Sequence, residues 1–168
     1  MRNQKHLFLI AVILSSCAVS PKKDAGLEAT LKRNNLQGKA LDSGEDRPTC
    51  LVVFASWCGP CRHELEVLGS LRPKYPGVRF IGLNAYEAWG ERSNNKQLRA
   101  FLATNAPWLE VTSAPPSLLK ALGGVPHIPA TFFYNRKGVL VRSFRRTTAP
   151  LPTKEQLGTA LRLATEND

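Results

Sequence analysis

One junction constrains this chain more than any other feature. Six residues, CLVVFA at 50–55, form an apolar run that leads directly into Ser56-Trp57-Cys58-Gly59-Pro60-Cys61. A run so short and so apolar suits a central strand buried on both faces. The segment after it, RHELEVLGSL, places Cys61, Leu65, Leu68 and Leu71 at spacings of four and three, so they stack along one side of a 3.6-residue helix. Two cysteines three positions apart at a helix start reach disulfide geometry. Gly59 permits the tight approach, and Pro60 pre-sets a helical φ where no amide donor is needed. Such a pair opens and closes by thiol exchange. Read as half a zinc site it lacks partners, because His63 falls too close on the same helix turn and His127 is distant in sequence; no metal is expected.

The remaining pattern gives an α/β order. Residues 78–84, VRFIGLN, read as a second strand beyond the stop at Lys74, Pro76 and Gly77, and the strand, helix, strand unit predicts a right-handed parallel crossover. Asn94 and Gln97 suggest a capping box before Leu98, Phe101 and Leu102, with Pro107 beyond the helix. A short helical segment at 117–122 is followed by two glycines. TFFY at 131–134 and VLVRSF at 139–144 flank Asn135-Arg136-Lys137-Gly138 and predict an antiparallel hairpin. Thr153 and Gln156 offer a second capping box, with Leu157, Ala160, Leu161 and Ala164 tracing an apolar face. The order expected is β, α, β, α, short α, β, β, α. Residues 17–47 read as a tether and irregular lead-in, with Leu27, Leu31 and Leu36 as a short packing edge, and residues 48–168 as one domain.

The start of the chain reads as an address. Arg2 and Lys5 precede an apolar run from Leu7 to Leu14, which as a helix spans only about 12 Å against the roughly 30 Å of a bilayer core. Residues 1–16 are therefore read as an export signal. Leu14-Ser15-Ser16-Cys17 resembles the lipobox of bacterial lipoproteins, which implies cleavage before Cys17 and its acylation; plain secretion is the alternative. The location implied is the cell envelope, facing the periplasm or exterior. Ala18 stands where an aspartate often favours retention at the inner membrane. The formal charge is +10, and loss of Arg2 and Lys5 leaves +8. That balance suits an anionic membrane surface or acidic partners. Nucleic acid is not an expected partner, since no zinc-finger spacing, basic helical stripe or ribonucleoprotein aromatic motif is present.

FASWCGPC at 54–61 and GVPHIPATFFYNRKG at 124–138 resemble the two motifs of the thioredoxin superfamily. More narrowly, the chain resembles its exported, membrane-tethered thiol-disulfide reductases (the TlpA/ResA-like group), over roughly residues 48–165. The resemblance implies a thioredoxin-like fold, a central mixed sheet flanked by helices, with residues 86–116 as a strand-helix insertion. It also implies that Pro129 is a cis-proline beside the disulfide, and that Ile128 presents backbone to an extended substrate. Pro126 is the less fitting candidate, because Pro129 directly precedes the hairpin strand.

Cys58 is the expected nucleophile. At a helix entrance, unpaired amides and the helix field stabilise its thiolate, whereas Cys61 sits one turn inward and resolves the mixed disulfide. Trp57 offers an apolar cover and substrate platform. Arg62 and His63 follow the pair and tune it if they face the sulfurs, though solvent is their alternative; His127 borders the groove or packs in its loop. The match has departures. Val52 stands where a cytosolic thioredoxin carries a buried aspartate, and Glu87 or Glu91 is the substitute considered for proton transfer. RSFRRTT at 142–148 replaces the glycine expected after the hairpin.

Cys50 is a separate case. Seven extended steps of about 3.3 Å separate it from Trp57 by about 23 Å, while a disulfide needs Cα atoms about 4.4–6.8 Å apart. It is read as a buried inert thiol, with intermolecular linkage or redox sensing as alternatives. The function expected is reduction of disulfides in exported proteins, cytochrome apoproteins among them, with an upstream membrane thiol donor and no cofactor. A non-catalytic binding module and a disulfide oxidase or isomerase are the alternatives. A peroxidase reading lacks the Thr-x-x-Cys arrangement, and copper delivery lacks a secure distal histidine.

Overall fold

The computed structural model describes residues 22–41, 46–87, 95–146 and 150–166. The export signal, Cys17, the Asn94 cap and Glu91 lie outside the described residues. Strand β1 (Thr49–Phe54) is buried along its whole length, as its unbroken apolar run requires. Its side chains alternate between two cores. Cys50, Val52 and Phe54 meet α2 (Gly59–Leu71), α3 (Asn95–Asn105) and α5 (Lys154–Glu166), while Leu51 and Val53 meet α1 (Ala25–Leu31) and α4 (Pro116–Ala121) on the other face.

Strand β2 (Arg79–Asn84) lies parallel to β1, from Thr49 opposite Arg79 to Phe54 opposite Asn84, and β3 (Glu110–Ser113) is parallel to β2. Strand β4 (Ala130–Tyr134) runs antiparallel to β1 and pairs with β5 (Leu140–Arg145), giving the mixed order β3-β2-β1-β4-β5. A parallel neighbour needs a crossover, which α2 supplies. The consequence is positional. Phe54, Asn84 and Ala130 share one end of the sheet, so the chain leaves β1 into the cysteine motif where it enters β4 from Pro129.

The expected elements between residues 50 and 84 and from 117 onward form with ends shifted by a residue or so. Gly138 closes the hairpin at φ 74°. The second capping box is reciprocal: the Thr153 N–H donates to Gln156 Oε1 (2.8 Å) and the Gln156 N–H to Thr153 Oγ1 (3.2 Å). Helix α5 then buries Leu157, Ala160, Leu161 and Ala164. Helix α3 ends at Asn105, two residues before Pro107.

Two elements differ from expectation. The lead-in is not irregular throughout, because Asp24 caps α1 by accepting from the N–H groups of Gly26 (2.9 Å) and Leu27 (3.0 Å). Gly26 lets α1 approach α4: a Cβ there would stand 2.5 Å from Leu122 Cδ2. The second is β3, absent from the order read from periodicity but falling within the 86–116 strand-helix insertion that the resemblance implies. Leu36 does not join the packing edge with Leu27; it is 41% exposed, and its N–H donates to the Val111 carbonyl (2.8 Å). Thr112 Oγ1 donates to the Asn34 carbonyl (2.7 Å), so the lead-in covers the outer edge of β3. Among the described residues no helix is long and apolar enough to cross a membrane.

Candidate active site

Cys58 is the N-cap residue of α2 and Pro60 stands in its first turn. Cys58 and Cys61 form a disulfide with Cα atoms 5.2 Å apart. The Cys61 N–H donates to Cys58 Sγ at 3.2 Å, so one of the helix's orphan amides points at the outer sulfur. Cys58 retains 5% exposure and Cys61 none. That inequality leaves one sulfur for an incoming group and one for internal attack. The Ile128–Pro129 peptide is cis, and the Ile128 carbonyl oxygen lies 4.0 Å from Cys58 Sγ. Ile128 is half-buried and Pro129 buried, which sets the loop before β4 directly against the disulfide.

Trp57 is half-buried beside the pair, and its indole N–H donates to the Tyr86 carbonyl (3.0 Å). Tyr86 has a positive φ of 57°, and its hydroxyl donates to the Val125 carbonyl. The loop after β2 is thereby tied to both sides of the site, a role no sequence pattern at Tyr86 announces. Arg62 is exposed, its guanidinium 5.9 Å from the centre of the Phe101 ring. His63 is exposed on the next residue, and His127 is exposed in the loop before Pro129.

The Glu87 carboxylate faces the motif turn. It accepts from the Ser56 N–H (3.0 Å), the Ser56 hydroxyl and Asn84 Nδ2 (2.6 Å). It fixes the turn that carries Trp57 and Cys58. The acid in the interior is another one. Glu64, one helix turn after Cys61, is 2% exposed and accepts a hydrogen bond from the Thr131 hydroxyl of β4. Burial raises its pKa above the ordinary 4.5, against the opposing effects of the Thr131 bond and the His63 charge. The sequence carried a signal for it: position 64 falls on the same helix stripe as Cys61 and Leu68, where a carboxylate is out of place. Cys50 is a free, buried thiol on the same face of β1. Burial, and then the neighbouring Glu64, push its pKa well above the ordinary 9.0.

Among the described residues no group of three His, Cys, Asp or Glu side chains is placed to hold a metal. A disulfide at a helix start, flanked by a cis-proline loop on a five-stranded mixed sheet, defines a dithiol-disulfide protein. The fold is thioredoxin-like, and the chain is similar to thiol-disulfide proteins of that superfamily. It is 33% identical over 110 residues to the thiol:disulfide interchange protein DsbE of Tatumella citrea, covering 61% of this chain and 50% of that one. It is 23% identical over 175 residues to the thiol-disulfide oxidoreductase ResA of Bacillus thuringiensis subsp. konkukian, covering 94% and 95%. A secreted Mycobacterium tuberculosis disulfide oxidoreductase described as homologous to E. coli DsbE superposes with a TM-score of 0.64 at 21% identity, over 80% of this chain and 98% of that one. The chain spans half or less of the length of the first curated relatives it matches, 38% and 50%. No protein-family profile matches it.

Proposed function

We propose that this protein is a thiol-disulfide oxidoreductase that reduces disulfides of exported proteins through Cys58 and Cys61. The observation that carries the reading is the unequal pair itself: a slightly exposed Cys58 sulfur that receives a helix amide, bonded to a fully buried Cys61, beside the Ile128–Pro129 loop. In the reduced protein the Cys58 thiolate attacks one sulfur of a substrate disulfide. A new sulfur-sulfur bond forms, the substrate bond breaks, and the departing thiolate takes up a proton. Cys61 then loses its proton and attacks Cys58 Sγ. The substrate's second thiolate leaves, and two electrons have moved from the protein dithiol to the substrate. The Cys58–Cys61 disulfide is the oxidised end of that cycle. An upstream membrane thiol donor returns it to the dithiol.

Each flanking residue has a role in this reading. Trp57 and Ile128 form the walls against which an extended substrate lies, with Pro129 between them and the sheet. Glu64 accepts the Cys61 proton, since a buried acid with a raised pKa lies closer to neutral working pH than an ordinary carboxylate. Arg62 adds positive charge near the helix start, with His63 exposed beside it. The narrower assignment, to cytochrome apoproteins as substrates, draws on the resemblance of the motifs at 54–61 and 124–138 to the exported, membrane-tethered reductases.

The reductive direction is tested by equilibrating the purified protein with glutathione buffers and counting Cys58 and Cys61 thiols by mass. A potential near −270 mV, the thioredoxin range, is expected; a value near −120 mV, that of a strong oxidant, would reverse the assignment. The envelope location rests on residues 1–17. Acylation of Cys17 predicts incorporation of a fatty-acid label that is lost on Cys17→Ser, with the variant released in soluble form. An unlabelled wild-type protein would leave plain secretion.

A further inference from the structure

Against Pro129, the residue after the Ile128 whose carbonyl faces Cys58, lies an open cleft of about 520 Å³. Glu64 and Pro129 line its inner part and Arg142, Phe144, Arg145 and Arg146 of the β5 edge line its wall. These arginines belong to the RSFRRTT segment that stands in place of an expected glycine, and the exchange chemistry uses none of them. Arg145 is held rigidly: its Nη1 donates to the Gly124 carbonyl (2.5 Å), its Nη2 to the Leu122 carbonyl (2.6 Å), and its guanidinium lies 4.7 Å from the centre of the Phe132 ring. Arg142 lies over Phe144 at 5.4 Å. Stacking and carbonyl contacts fix both guanidinium groups without neutralising them. The first turn of α5, which opens onto the cleft at Thr153 and Gln156, adds the positive end of a 13-residue helix, and Lys154 and Glu155 there cancel. Among the described residues, Glu64 is the only carboxyl lining the cleft.

We propose that this cleft binds acidic side chains next to the disulfide of the incoming polypeptide, so that carboxylate-flanked cysteines are the preferred substrate class. The inference rests on the exchange reading and specifies what that site selects. Guanidinium forks pair with carboxylates in two-point geometry, and those of Arg142 and Arg146, which alternate in face with the carbonyl-bound Arg145, attract an acidic segment to this wall. General positive charge attracts anions to the whole surface; this wall acts where the substrate must lie.

The test uses the full chain in detergent, oxidised, and two labelled peptides of one sequence with serine in place of both cysteines, one flanked by Asp and Glu and the other by Lys. At low salt the acidic peptide is expected to bind about tenfold more tightly than the basic one, and high salt to erase the difference. Charge reversal at the cleft, R142E with R146E, is expected to abolish the preference. The matched reversal K74E with R99E, on exposed residues elsewhere, is expected to keep it although net charge changes equally. Equal binding of the two peptides, or a preference lost equally in both double variants, would overturn the inference. The exchange reading fails separately: a reduced wild-type protein that cannot reduce hydroxyethyl disulfide, which carries no charge, sinks that reading and this inference with it.

Discussion

Cys58→Ser is expected to lower turnover of a disulfide substrate by about 10⁴-fold or more, the scale of losing a covalent nucleophile. Cys61→Ser is expected to block turnover at a different point. The two variants separate because the sulfurs differ in access. Serine at 58 offers no thiolate, and the remaining thiol at Cys61 has no exposure through which to meet a substrate. Serine at 61 leaves the first attack intact, so a mixed disulfide between Cys58 and the substrate accumulates, visible as an added mass that a reductant removes. Cys50 does not substitute in either variant, being fully buried with a thiol held in its protonated form. Applied in cells, the Cys61→Ser protein collects its own substrates, and proteomic identification of the adducts distinguishes cytochrome apoproteins from a broader set. Turnover retained by Cys58→Ser, or adducts formed on Cys61 in preference to Cys58, would contradict the assigned order.

The contrast between what could and could not be read in advance follows from length and periodicity. β1 and α2 were legible because an unbroken apolar run and a stripe at three and four spacing leave few other packings, and both are buried as those patterns require. The hairpin was legible from four turn residues. β3 was not, because Glu110-Val111-Thr112-Ser113 alternates weakly over four residues and gains its burial from β2 and from the lead-in hydrogen-bonded across it. α1 was hidden for a related reason: seven residues make a marginal helix alone, and it is held by the Asp24 cap and the close approach of Gly26 to Leu122. At the site, local motifs gave the cysteines, Trp57 and Pro129. The partner of a carboxylate is a tertiary fact. The helix stripe marks position 64 as inward-facing, yet no spacing along the chain names Thr131 as the partner of Glu64 or the Ser56 turn as that of Glu87.

Glu64→Gln separates a buried proton acceptor from a packing residue, because glutamine keeps the shape and still accepts from the Thr131 hydroxyl. The expected kinetic effect is a loss of about 100-fold in the rate at which Cys61 resolves a mixed disulfide, together with loss of the part of the pH profile that follows ionisation of the carboxyl. A packing role would leave that profile unchanged. Stability gives an independent reading with a definite sign. In the oxidised protein neither active-site sulfur titrates, and the interior acid acts above its ordinary value of 4.5. Below its ordinary value of 4.5 the carboxyl is protonated in both folded and unfolded chains, and its contribution is fully present. As pH rises, the unfolded chain releases the proton first while burial keeps it on the folded one. Stability is lost by up to about 1.4 kcal/mol per pH unit until the raised folded value is passed, and then levels. Glu28, lowered by Lys32, acts with the opposite sign and only below 4.5. Cys50 and Tyr134, both raised by burial, enter only in alkaline solution. Denaturant unfolding of the oxidised protein from pH 4 to pH 8 is therefore expected to show a declining limb in the wild type and a flat one in Glu64→Gln; equal limbs would remove Glu64 from the proton path.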